Sequence, residues 1–163
     1  MKMRNVLAAG AILSVFWGQT MAPAEGCSKA EVTAAVDSAV QILEQDGPAG
    51  LEKVGSIRFC NDNYVFVNDL KGKTLMHIKP ELIGKVLIGL KDDNGKRFFA
   101  DFSETAKASQ ATKDNVSYAN GSGWVEYRWP KPGEQEFSKK SSYVKGCMMG
   151  AENVYAGAGI YIE

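Results

Sequence analysis

Five segments of strand grammar behind one amphipathic helix decide what this chain can fold into. Ser28 stands where a helix begins, and Glu31 three residues on has the capping-box spacing that satisfies two free backbone donors. Val32, Ala35, Val36, Ala39, Val40 and Leu43 then recur at helical spacing as one apolar stripe, which Gly47-Pro48 ends. A short second helix is expected over residues 49–54. From Tyr64 the period changes to two. Tyr64-Val65-Phe66-Val67 and Thr74-Leu75-Met76-His77 flank the turn residues Asp69-Leu70-Lys71-Gly72, which reads as a β-hairpin. Lys79 to Gly84 suits a single helical turn with Pro80 near its start. Phe98, Phe99, Phe102 and Ala106 predict a helix over residues 95–108, and the polar stretch 109–121 predicts a mobile loop. Three further strands are expected over 124–129, 141–148 and 154–162, the first broken by Pro130-Lys131-Pro132-Gly133. Half-apolar strands and a one-sided helix bury their faces against each other. The fold class is therefore α+β, a long N-terminal helix packed on a five-stranded antiparallel sheet.

A chain of 163 residues holds one ordinary domain, and no internal repeat or linker divides it. With 19 basic and 19 acidic side chains the formal net charge is zero, which argues against nucleic acid as a partner. An apolar fraction of 45% with 23% charged residues is that of a folded protein, not a disordered one.

Residues 1–24 read as a secretory signal peptide. Lys2 and Arg4 begin it, Val6 to Gly18 carries no charge, and Ala22-Pro23-Ala24 offers small residues for cleavage. The apolar run is short for a membrane span, which needs about 20 residues. Ala24-Glu25-Gly26 before Cys27 departs from a lipobox by lacking Leu and carrying an acid. Lipid or N-terminal anchoring is thus the lesser alternative to a secreted, periplasmic protein. Removing residues 1–24 takes away two basic side chains and no acidic one, leaving 17 against 19. Export lets disulfides persist, and Cys27, Cys60 and Cys147 allow one bond in three pairings, with one thiol left over.

Chemistry-bearing motifs are few. His77 is the sole histidine, so a zinc site lacks partners, and no CxxC, CxxCH or GxSxG occurs. Asp92-Asp93-Asn94-Gly95 fails the EF-hand spacing and reads as a surface turn. Gly157-Ala158-Gly159 opens no helix and suits a strand where neighbours approach the backbone closely. No cofactor, no metal and no catalytic set is expected. Period-two alternation puts Val125, Tyr127 and Trp129 on one face, and Trp124, Glu126 and Arg128 on the other. Rings on one sheet face can shape a compact pocket whose OH and NH groups orient a polar ligand.

The order of these segments resembles the single Cache domains, PAS-like sensor domains that lie outside the cytoplasm. The resemblance rests on Tyr64-Val-Phe-Val-Asn-Asp69 with Gly72 and Leu-Met-His77, Pro80-Glu-Leu-Ile-Gly-Lys85 and Leu90-Lys-Asp-Asp-Asn-Gly-Lys96. It continues through Gly123-Trp-Val-Glu-Tyr-Arg-Trp-Pro130, Lys140-Ser-Ser-Tyr-Val144 and Gly157-Ala-Gly-Ile-Tyr161. It implies one Cache domain over residues 25–163, with a pocket for a small organic acid between the sheet and the short helices. His77, Phe98, Trp124, Tyr127, Trp129, Lys140 and Tyr143 are the ligand-binding candidates it points to. His77 and Tyr127 would hydrogen-bond a carboxylate and Lys140 would supply charge. Strict alternation nonetheless sets Lys140 opposite Tyr143, and Trp124 opposite Tyr127, unless a bulge intervenes. Ile78 follows His77 where the family usually has Pro. The resemblance further implies signalling through a membrane kinase, chemoreceptor or transporter, since no spanning segment or output domain follows the sensor within this sequence. The expected function is periplasmic binding and sensing of a small carboxylate. The alternative is a non-catalytic assembly module with a vestigial pocket, a homodimer formed through the N-terminal helix.

Overall fold

The computed structural model describes residues 26–162; the signal-peptide segment lies outside the described residues. Helix α1 (Lys29–Asp46) starts on the Ser28–Glu31 capping box and ends at Gly47, whose φ of 60° suits a residue without a Cβ. Its whole apolar stripe is buried: Val32, Ala35, Val36, Ala39, Val40 and Leu43. A 3-10 turn (Gly47–Gly50) leads into the short helix α2 (Leu51–Gly55).

The strands are β1 (Arg58–Phe59), β2 (Asn63–Asp69), β3 (Thr74–Met76), β4 (Gln110–Lys113), β5 (Val116–Ala119), β6 (Ser122–Pro130), β7 (Phe137–Met149) and β8 (Glu152–Tyr161), with helix α3 (Phe98–Lys107) between β3 and β4. The main antiparallel sheet runs β2-β8-β7-β6, and β3 and the two-residue β1 pair with the free edge of β2. The five strands that the sequence predicts, β2, β3, β6, β7 and β8, are all present with β8 at their centre, and the two-residue β1 makes a sixth in the sheet. Two of the expected strands are longer than their apolar cores, since cross-strand pairing continues into the polar ends.

The stretch 109–121 is not a loop. Gln110–Lys113 and Val116–Ala119 pair as a hairpin about Asp114-Asn115, both at positive φ (51° and 64°). Its strands are mostly exposed on both faces, so no apolar alternation marks them. Asn153 Oδ1 accepts the Ala119 N–H at 2.8 Å and fixes the hairpin to β8.

The sheet divides the core in two. Val65, Val67, Val154, Ala156, Ala158, Cys147 and Met149 face α1, whereas Tyr64, Phe66, Val125, Tyr127, Val144 and Tyr155 face α3 with Phe98, Phe99 and Phe102. Cys27 and Cys60 form a disulfide, which ties the start of α1 to the turn after β1, and Cys147 is a buried free thiol beneath α1. Among the described residues no helix is long and apolar enough to cross a membrane.

Candidate functional site

The candidate site lies on the α3 face of the sheet, and strand register decides which side chains reach it. β6 and β7 pair without interruption from Ser122↔Lys145 to Pro130↔Phe137. Tyr127 therefore stands directly opposite Lys140, and Lys140 opposite Tyr161, so all three share one face. No bulge breaks that alternation. Trp124 and Tyr143, which pair with each other, consequently point to the other face, where Lys29 Nζ lies 4.9 Å from the Trp124 ring centroid. Those two residues belong with α1 and not with the cavity, which corrects the expected seven-residue pocket.

His77, Phe98, Tyr127 and Trp129 line a cavity together with Tyr64, Phe66, Phe99 and Phe102. The last four were not singled out as ligand candidates. Their signals were present, since Tyr64 and Phe66 alternate in β2 and Phe99 and Phe102 share the apolar face of α3. Phe98 stacks on Tyr127 with centroids 4.4 Å apart, and Trp129 meets His77, Phe98 and Phe99 edge-on. The cavity between the rings measures about 10 Å³, room for about one water, so a ligand enters only when the rings move apart. Gly157 on β8 lets the Phe66 ring settle on the sheet, and Gly159 lets β7 approach closely. A Cβ at Gly157 would strike the Phe66 ring, and one at Gly159 would sit 2.6 Å from the Ser141 carbonyl oxygen.

Polar groups interrupt this apolar wall at a few points. His77 follows β3 and is 8% exposed. Its Nδ1 accepts the Lys79 N–H at 2.9 Å, a bond that assigns the proton to Nε2 and leaves Nε2–H as the remaining donor. Burial, with the charges of Lys140 and Lys79, pulls its pKa down to about 3, so the ring is neutral near pH 7. The Tyr127 hydroxyl bonds Ser142 Oγ at 3.0 Å.

Lys140 is only 3% exposed, and among the described residues no carboxylate lies within ion-pair distance of it. Its Nζ sits 4.8 Å from the ring centroids of Tyr64 and of Tyr161, and 3.4 Å from the Tyr64 hydroxyl. Burial first, then Lys79, lowers its pKa to about 7. Burial likewise raises the Tyr64 phenol to about 12, so that hydroxyl remains protonated. Tyr64 both lines the cavity and contacts Lys140, which places the amine on the cavity's flank.

The segment between β3 and α3 closes over the ring cluster through Ile78 and Leu87. Asp92 anchors it: its carboxylate accepts N–H bonds from Asn94, Lys96 and Arg128, and those bonds outweigh burial and hold its pKa down. Arg128 closes the clamp on Asp93 through its Nε at 2.7 and 2.9 Å. The Asp92–Gly95 segment is thus the turn its composition predicts. Among the described residues the one grouping of metal-ligand residue types, Cys27, Glu31 and Cys60, has both sulfurs committed to the disulfide.

A helix on one sheet face, and on the other a ring-lined cavity with a neutral imidazole in its wall and a buried amine on its flank, make a PAS-like domain. The chain belongs to the Cache domain family, whose profile matches residues 51–163. It is similar to methyl-accepting chemotaxis protein McpP of Pseudomonas putida, with 31% identity over 69% of this chain and 19% of the relative. It is also similar to sensor histidine kinase MctS of Rhizobium johnstonii, with 27% identity over 66% of this chain and 21% of the relative. The chain thus spans about a fifth of the length of these relatives. Among solved structures, a periplasmic sensor domain of a chemotaxis protein superposes with a TM-score of 0.69 at 32% identity, over 82% of this chain and 94% of that one. A Cache chemosensory domain solved to explain carboxylic acid recognition gives 0.67 at 28%, over 82% and 92%.

Proposed function

We propose that this chain is a periplasmic sensor that binds a small carboxylate and presents its bound or empty state to a membrane partner, a kinase, chemoreceptor or transporter. Residues 1–24 direct export, and residues 25–163 form a single Cache domain that binds without catalysing. The observation that carries the reading is Lys140, a buried amine without a counter-charge, on the flank of a ring-lined cavity whose wall includes a neutral imidazole donor. A buried cation is costly when unpaired, and a carboxylate satisfies it with charge-assisted hydrogen bonds. His77, Tyr127 and Lys140 orient the ligand, while Phe98 and Trp129 limit its size. The chemotaxis and sensor-kinase names of the relatives support a sensing role, and the structural neighbour solved for carboxylic acid recognition supports the ligand class. Signalling needs only that the partner distinguishes the two states.

The test is a thermal-shift panel of acetate, propionate, pyruvate and lactate beside amines and amides. A bound acid stabilises by RT ln(1 + [L]/Kd), about 2.7 kcal/mol at a hundred times Kd. A dose-dependent rise for acids that is lost in His77→Ala and weakened in Tyr127→Phe is the expected result. Silence from the folded protein across the panel would reject the reading in favour of an assembly module.

A further inference from the structure

We propose that the site takes up a proton with its carboxylate ligand, the proton residing on Lys140 Nζ, so that the protein responds to an acid and not to an anion alone. The inference rests on the carboxylate reading above and adds the proton to it.

The geometry around Lys140 is that of an amine poised between two charge states. β2 and β8 place the rings of Tyr64 and Tyr161 over it, and β6 places Tyr127 opposite it. α3 contributes only Phe98, Phe99 and Phe102 to the cavity wall. Beyond β3, His77 and Lys79 complete the surroundings, and Lys79 disfavours a second positive charge. None of these groups carries a negative charge near pH 7. The tyrosine faces favour the ammonium, but removal of an unpaired ion from water costs more than these contacts return. Desolvation therefore wins in the empty site.

An arriving carboxylate reverses the balance. It supplies the missing counter-charge, and the ammonium form then gains a charge-assisted hydrogen bond that a neutral amine lacks. The amine lone pair forms one N–H bond to a proton given up by hydronium or the buffer acid, whose own bond to that proton breaks, and no bond of the ligand changes. His77 is not the acceptor, because it begins so far below neutrality that one nearby anion leaves it neutral. The Tyr64 hydroxyl already carries its proton. An empty-site amine near half-ionised at pH 7 implies an affinity that weakens roughly 20-fold between about pH 6.5 and 8.5.

The experiment is calorimetric titration of the full chain with sodium acetate, propionate, pyruvate and lactate at both pH values, in phosphate and in Tris. Their different ionisation enthalpies reveal protons exchanged on binding. The expected result is a Kd that rises roughly 20-fold and, at the higher pH, uptake of about one proton per ligand. Lys140→Met should bind weakly with no pH slope, while His77→Gln, weakened by loss of the imidazole donor, should keep the proton uptake per ligand bound. Equal Kd values at both pH values with no buffer dependence would overturn the proposal and leave the carboxylate site standing. Uptake that survives in Lys140→Met but vanishes in His77→Gln would overturn it by moving the proton to His77. Failure of all four acids to bind would overturn the carboxylate reading and this inference together.

Discussion

Replacing Lys140 by Met should make the ligand-free protein more stable. In the folded chain the amine's pKa is about 7 against an ordinary 10.5. At pH 7 that difference corresponds to about 4 kcal/mol of stability withheld by burying an unpaired amine. Loss of the Tyr64 and Tyr161 cation–π contacts returns about 2 kcal/mol, and the Met thioether keeps favourable contacts with the same rings. The net expectation is a gain of about 2–4 kcal/mol, read by urea denaturation. Its sign also changes predictably with pH. Because the folded pKa lies below the unfolded one, the unfolded chain binds more protons between pH 7 and 10.5, and wild-type stability rises across that window. The variant lacks this contribution, so its advantage should be largest at or below pH 7 and close near pH 10. A variant less stable than wild type at pH 7, or an advantage independent of pH, would refute the claim that Lys140 is an uncompensated buried amine.

Other perturbations test the surrounding structure. His77 has its pKa lowered to about 3 from 6.5, so the unfolded chain binds more protons between those values. Its contribution is present above 6.5 and lost as pH falls toward 3, and denaturation curves at pH 7 and 5 should differ by about 2 kcal/mol more in wild type than in His77→Phe. Gly159→Ala forces a Cβ against Ser142 Oγ and the Ser141 carbonyl oxygen, and a loss of about 1–3 kcal/mol in the same assay is expected. Cys27→Ser opens the link to Cys60, 33 residues away, and should cost about 4 kcal/mol; an unchanged midpoint would mean that the disulfide does not constrain the unfolded chain.

Period and spacing made the architecture legible. The capping box and six-residue stripe of α1 carry their meaning locally, and so do the alternating aromatics of β2 and β6. The hairpin Gln110–Ala119 escaped because its polar strands bury almost nothing and its Asp114-Asn115 turn lacks the glycine that usually marks such a turn. Which two cysteines pair was likewise not legible, since it depends on how α1 approaches the turn after β1. For the site, alternation alone separated Trp124 and Tyr143 from Tyr127 and Lys140, and the uninterrupted β6–β7 register upholds it. Family resemblance had joined what the pleat keeps apart. Tyr161 and Tyr64 as the cage of Lys140 could not be read in advance, because they meet only through the order β2-β8-β7.

The two sheet faces therefore divide the work. The α1 face holds mainly aliphatic packing, and the α3 face holds the ring cluster with an imidazole in its cavity wall and a buried amine on its flank. A crystal structure of the protein grown with propionate tests this division most directly. The account predicts a carboxylate in the α3-face cavity, its oxygens about 2.7–3.2 Å from Lys140 Nζ and His77 Nε2. A carboxylate bound elsewhere, or a cavity unchanged with Lys140 still lacking an anion at saturating propionate, would contradict it.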